Sequence, residues 1–220
     1  MQRRSPFGGG VHVPGDEDPT MTTLDQAHRA GTPPRTDGWR TRDILVTAVI
    51  GVVFGVVFAY WNVVWTVLAP GAIPPLQAFL IYGVWLVPAV LAPVIVRKPG
   101  AAVFAEMVAA GVSTVFGSPW GPDVLLSGFV QGAAAELIFA MTLYRNWSLP
   151  VLGIAAIASA AAAWVHDWVL YYADADVTLQ VIRAVAMAVS ALVIVAGGSY
   201  LLERSLRRTG VLDGFASRTA

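Results

Sequence analysis

The sequence predicts an all-α fold, a polytopic membrane protein in which six transmembrane helices form a bundle with both chain ends in the cytoplasm. Three observations predict it. Apolar residues make up 56% of the chain and charged residues 13%, about half the charge that covers the surface of a soluble domain. From Ile44 onward, long apolar runs follow one another, broken only by short Pro/Gly or charged punctuation. The segments between the runs alternate between basic and non-basic, as loops on alternate sides of a membrane do.

Residues 1–38 differ from the rest. They are rich in Gly, Pro, Thr, Asp and Arg and lack apolar periodicity, so they are expected to form a disordered cytoplasmic tail. No apolar stretch closely follows Arg3 and Arg4, so the segment does not read as a signal peptide, and Met21 is an alternative start of translation. The membrane domain is expected over 39–205. Its first span runs from about Arg42 to Leu68 and is closed by Ala69-Pro70-Gly71. The second runs from about Leu76 to Val96 and ends at Arg97-Lys98-Pro99-Gly100. The third, Ala101 to Phe116, is short for a bilayer and either thins it locally or is re-entrant. The fourth runs from Asp123 to Tyr144, the fifth from Leu149 to Tyr171 and the sixth from Thr178 to Leu202. A basic cytoplasmic tail is expected over 206–220.

Loop charge tests this division independently. Arg35, Arg40 and Arg42 precede the first span, Arg97 and Lys98 follow the second, Arg145 follows the fourth, and Arg204, Arg207 and Arg208 follow the sixth. The intervening loops carry no basic residue, and the last of them carries Asp174 and Asp176. A miscounted span would break the alternation.

Three sets of residues are candidates for function. Gly51, Gly55 and Ala59 recur every fourth residue on the first span, a small-residue stripe that lets another helix approach closely in lipid. That helix is either part of this chain or part of another subunit. Ionisable residues within spans are costly and mark candidate sites: Glu106, Glu136, His166, Asp167 and Arg183. For Asp167 and Arg183 the alternative is an interhelical ion pair; for the glutamates it is a protonated or hydrogen-bonded role in holding the fold together. Trp61, Trp65, Trp120, Trp164, Trp168, Tyr171 and Tyr172 all map to the outer side, either as an interfacial belt or as the wall of a pocket for a flat or cationic ligand. Trp164, Asp167, Trp168 and Tyr171 share one helix face, and Asn62 and Gln131 offer orienting hydrogen bonds.

Other classes find no support. The net charge of zero leaves no nucleic-acid footprint. Cysteine is absent, His166 is the only histidine outside the N-terminal tail, and no HExxH, GxSxG or GxxxxGK pattern occurs. Without ATPase elements, import through such a chain would draw on another subunit's ATP, an ion gradient or facilitated diffusion. A structural membrane protein without ligand is the remaining alternative.

The runs Arg97-Lys98-Pro99-Gly100-Ala101-Ala102, Phe104-Ala105-Glu106-Met107-Val108-Ala109-Ala110, Gly117-Ser118-Pro119-Trp120-Gly121, Ser127-Gly128-Phe129-Val130-Gln131-Gly132, Ala135-Glu136-Leu137-Ile138-Phe139-Ala140 and Tyr144-Arg145-Asn146-Trp147 resemble the YkoE family. These are substrate-binding S-components of energy-coupling factor (ECF) importers. The likeness extends from about Trp39 to the C terminus. It implies a six-helix S-component of the cytoplasmic membrane that captures thiamin or its hydroxymethylpyrimidine (HMP) precursor. It implies as partners a transmembrane coupling (T) subunit and ABC-type ATPases, which use the ATP, while this chain binds no cofactor. It places subunit docking on the small-residue face of Gly51, Gly55 and Ala59. Glu106, Gln131 and Glu136 fall in the family's motifs and are expected to matter; position alone adds Trp61, Asn62, Trp65, Trp120, His166, Asp167 and Tyr171 as pocket candidates. Gln131 falls near mid-membrane and the two glutamates deeper, so either the pocket is deep or the glutamates serve the fold or coupling.

Overall fold

A computed structural model of the chain describes residues 38–68 and 81–210. The expected disordered tail over 1–37, the loop after the first span, the beginning of the second span and the last ten residues lie outside the described part.

Six helices run through the described residues. They are α1 (Thr41–Leu68), α2 (Tyr82–Val96), α3 (Ala101–Val115), α4 (Asp123–Met141), α5 (Leu149–Tyr171) and α6 (Val177–Arg208). The first turn of α2, Tyr82–Leu86, is 3₁₀, and α6 contains a π-helical stretch at Ala191–Gly197. Four of the six are long and apolar enough to cross a membrane: α1, α4, α5 and α6. The other two, α2 and α3, are shorter apolar helices.

Large apolar side chains cover much of the outside of the helices, while polar side chains share the interior with the apolar core, unlike a water-soluble protein. On α1, Val49, Val52, Val53, Val56, Val63 and Val67 are exposed, while Thr47 and Asn62 are buried. Glu106, Gln131, Ser159, Gln180 and Arg183 are buried as well. An apolar exterior around a polar-spotted interior is stable when the surroundings are hydrocarbon, and each interior polar group then requires an internal partner.

Helix α2 occupies the centre. Every residue from Leu86 to Val96 is buried, consistent with a stretch that is apolar on all sides. Of its two prolines, Pro88 falls in the first turn of the α segment, where the missing N–H has no intrahelical acceptor to lose, and Pro93 lies inside it. Helix α3 lies between α1 and α4 at very close range. A Cβ added to Gly51 would stand 2.6 Å from Val108 Cβ and 2.9 Å from the Ala105 carbonyl; one added to Gly55 would stand 2.5 Å from Val112 Cβ. From the other side, Gly128 and Gly132 of α4 meet Ala110 and Val103 in the same way. Two small-residue faces therefore clasp an alanine-rich helix, whose Ala101, Ala102, Ala105, Ala109 and Ala110 are fully buried.

This packing corrects one expectation. Gly51 and Gly55 contact α3 of the same chain and are buried by it, so the stripe is not a free docking face in this conformation. Ala59, one turn further on, is half-buried. Two boundaries also move. The fourth span ends at Met141 instead of Tyr144, because Leu143 and Tyr144 adopt left-handed backbone that ends a helix. The sixth extends through Arg208, so the first residues of the expected basic tail continue the helix, with Arg207 and Arg208 in its last turn, where cations complement the helix dipole.

Candidate functional site

The C-terminal ends of α1, α3 and α5 and the N-terminal ends of α2 and α4 meet at the bundle end remote from Arg97 and Arg145. A cavity of about 250 Å³ opens there.

Aromatic rings form one wall. Trp65, Trp85 and Trp120 pack edge to face, with centroids 5.3 Å apart for Trp65–Trp85 and 5.8 Å for Trp85–Trp120. Tyr82 extends the set, 5.5 Å from Trp85. Hydrogen bonds fix the wall: Trp85 Nε1 donates to Asn62 Oδ1 at 3.1 Å, and Asn62 Nδ2 donates to Ser113 Oγ at 3.1 Å. Asn62 thus spends both ends of its amide on holding an indole in place.

Acidic groups line the opposite side. His166 stands between two carboxylates, its ring nitrogens 3.2 Å from Asp123 Oδ1 and 3.1 Å from Asp167 Oδ1. The Tyr171 hydroxyl donates to Asp123, and the Tyr82 hydroxyl to Asp167 Oδ2 at 3.0 Å. Behind the wall, Arg183 approaches Asp167 Oδ2 at 3.6 Å and lies over the Tyr172 ring, 3.5 Å from its centroid. The interhelical ion pair expected as one alternative for Asp167 is therefore present, and the same carboxylate also lines the cavity.

Glu106 lies deepest, fully buried, with Gln131 beside it in the lining. Its position follows from the start of the α segment of α2, where the first amides have no intrahelical acceptor. The Ala89 N–H donates to Glu106 Oε1 at 2.9 Å. The second oxygen, Oε2, is buried and has no hydrogen-bond partner. Such an orphaned oxygen is costly to bury and leaves an acceptor open toward the cavity.

Known proteins resemble this chain along most of its length. A family model for the permease component of ABC-type cobalt transport systems matches residues 42–162. YkoE of Bacillus subtilis (strain 168), an HMP/thiamine permease protein by name, is 36% identical over 179 residues, covering 81% of this chain and 89% of that one. The chain belongs to the YkoE family. The crystal structure of an S-component of an ECF transporter matches with a TM-score of 0.78 at 35% identity, over 81% of this chain and 91% of that one. The protein is therefore a multi-pass membrane protein of the S-component type. Among the described residues no three His, Cys, Asp or Glu side chains are grouped to hold a metal ion.

Within this YkoE-family S-component, the cavity lining brings together Asn62, Trp65, Glu106, Trp120, Gln131, His166, Asp167 and Tyr171. Trp61 does not: its indole N–H donates to the Ile81 carbonyl at 2.9 Å and ties α1 to the start of α2. Glu136 does not either. Its Oε1 accepts from the Gly100 N–H at 2.6 Å and the Tyr144 hydroxyl at 2.7 Å, and its Oε2 from the Ala102 N–H at 2.9 Å. It caps the N-terminus of α3 at the opposite end of the bundle, where a carboxylate complements the helix dipole. Burial, and then the hydrogen bond to Glu136 and its charge, push the Tyr144 phenol above its ordinary pKa. Trp164 and Trp168 share their helix face with Asp167 but stay out of the cavity. Trp164 donates to the Gln180 carbonyl at 3.1 Å, and the two rings pack 4.9 Å apart.

Sequence reasoning missed Tyr82, Trp85, Ser113, Asp123 and Ser127 in the lining. One signal was present for Trp85: an indole N–H deep in an apolar run needs an acceptor and therefore points to a polar interior. Asp123 reads from sequence only as an acid in a first helical turn.

Proposed function

We propose that this chain is the substrate-capture subunit of an ECF-type importer of the cytoplasmic membrane and that thiamin or its HMP precursor occupies the cavity. The unpartnered Glu106 Oε2 at the cavity floor carries the reading. An aminopyrimidine offers an exocyclic N–H to such an oxygen and would complete its hydrogen bonding. The Trp65–Trp85–Trp120 cluster supplies apolar ring faces for a flat heterocycle. Asp123 and Asp167 give the mouth an acidic lining suited to a thiazolium cation. The name of the B. subtilis relative supports the same ligand class.

In this reading the chain crosses the bilayer six times with both ends cytoplasmic, and the cavity opens outward. The loop arginines and the grouping of the lining at the opposite end of the bundle favour this topology. Transport is powered by partners, a T subunit and ABC-type ATPases that use the ATP, and this chain needs no cofactor. The exposed apolar face of α1, with Val49, Val53, Val56 and Tyr60, is available to the T subunit or to lipid, whereas the Gly51/Gly55 face is occupied by α3.

The test is a titration of the purified chain, without partners, with HMP and with thiamin. Three of its eight tryptophans line the cavity, so intrinsic fluorescence reports occupancy. Saturable quenching by either compound at micromolar concentration is expected; no response to both contradicts the assignment.

A further inference from the structure

We propose that a second cavity, at the opposite end of the bundle between α2, α5 and α6, binds a phosphate group. It measures about 300 Å³ and is lined by Arg97, Arg204 and Arg207, with Trp147, Tyr200 and a single carboxylate, Glu203. Glu203 is committed to Arg207, its neighbour one turn on. Arg97 and Arg204 form no ion pair among the described residues.

Arg97 is the distinctive member. It ends α2 in left-handed backbone, φ 52°, a conformation usually left to glycine or asparagine. That geometry holds its guanidinium 5.6 Å from the centre of the Trp147 ring. Its Nε is buried and has no hydrogen-bond partner. Burial, and then the charge of Arg207, lower its pKa from the ordinary guanidinium value, and the Glu203 carboxylate offsets only part of this. Three guanidinium groups facing one carboxylate across a concave surface need an anion. The guanidinium fork matches the paired oxygens of phosphate. The site lies among the loop arginines, and basic pockets between helices on the cytoplasmic side accommodate anionic headgroups. The phosphate therefore comes either from an anionic phospholipid or from a free phosphate compound.

The experiment uses the purified full chain in neutral detergent and reads thermal melting together with native mass spectrometry. Short-chain phosphatidylglycerol, phosphatidylcholine of equal chain length, inorganic phosphate and pyrophosphate are titrated in parallel. Protection by phosphatidylglycerol but not phosphatidylcholine identifies a lipid headgroup; protection by phosphate or pyrophosphate alone identifies a soluble source. In either case Arg97→Gln and Arg204→Gln are each expected to weaken the response by about tenfold. Arg204 is exposed, so Arg204→Gln keeps the test informative if Arg97→Gln fails to fold. HMP titration of Arg204→Gln is expected to match wild type, because the two cavities share no lining residue. The proposal is overturned if no anion shifts the melting temperature, or if Arg204→Gln responds to every anion as wild type does.

Discussion

Glu106 and Glu136 lie on neighbouring helices, both within runs that resemble the YkoE family, yet they do opposite work. Glu136 sits at the arginine-bearing end with both oxygens occupied, taking two backbone N–H groups at the start of α3 and the Tyr144 hydroxyl. Glu106 sits at the cavity end with one oxygen on the Ala89 N–H and the other on nothing. A satisfied buried carboxylate stabilises the fold, whereas a half-satisfied one destabilises it until a ligand completes it. The number of filled acceptor sites, not conspicuousness in the sequence, separates the two roles.

Substitutions sharpen this contrast, beginning with the largest effect. Gly55→Leu drives a side chain into Val112 and the Ala109 carbonyl, so the α1–α3 contact cannot form. Loss of monodisperse protein on size-exclusion chromatography is expected, together with loss of HMP binding. A folded, ligand-binding variant that fails only in transport would instead return the stripe to subunit docking. Glu136→Gln removes the charge that caps α3 and is expected to cost about 1–3 kcal/mol, read as a lower melting temperature, with HMP affinity within about twofold of wild type. A large loss of affinity would place Glu136 in the ligand pathway and erase the contrast. Asn62→Ala frees the Trp85 indole and is expected to weaken HMP binding about fivefold, equivalent to roughly 1 kcal/mol, by fluorescence titration. Trp164→Phe removes the bond to the Gln180 carbonyl, and melting is expected to shift by a few degrees or less with no change in affinity.

The membrane class, the order of the helices and the bias of the aromatic residues to one end were legible in the sequence. Hydrophobic run length, Pro/Gly breaks and loop arginines are local signals, readable before anything is packed. The partner of Gly51 and Gly55 was not legible, because a small-residue stripe encodes close approach without encoding what approaches. The roles of the glutamates were not legible either. Depth along a helix gives no account of which backbone amides lie nearby, and those amides come from α2 in one case and from α3 and its N-cap in the other. Asp123 was hidden in the same way: its partners, His166 and Tyr171, are more than forty positions away in sequence.

Glu106→Gln tests the central claim most directly when ligand affinity and thermal stability are measured on the same preparation. Replacing a buried carboxyl group that lacks one partner with the isosteric amide is expected to leave the melting temperature unchanged or raise it. Losing the acceptor that the ligand N–H fills is expected to weaken HMP binding by about tenfold to a hundredfold. A variant that melts earlier yet binds HMP as wild type does would show Glu106 to be a fold residue like Glu136, and the account of the cavity would fail.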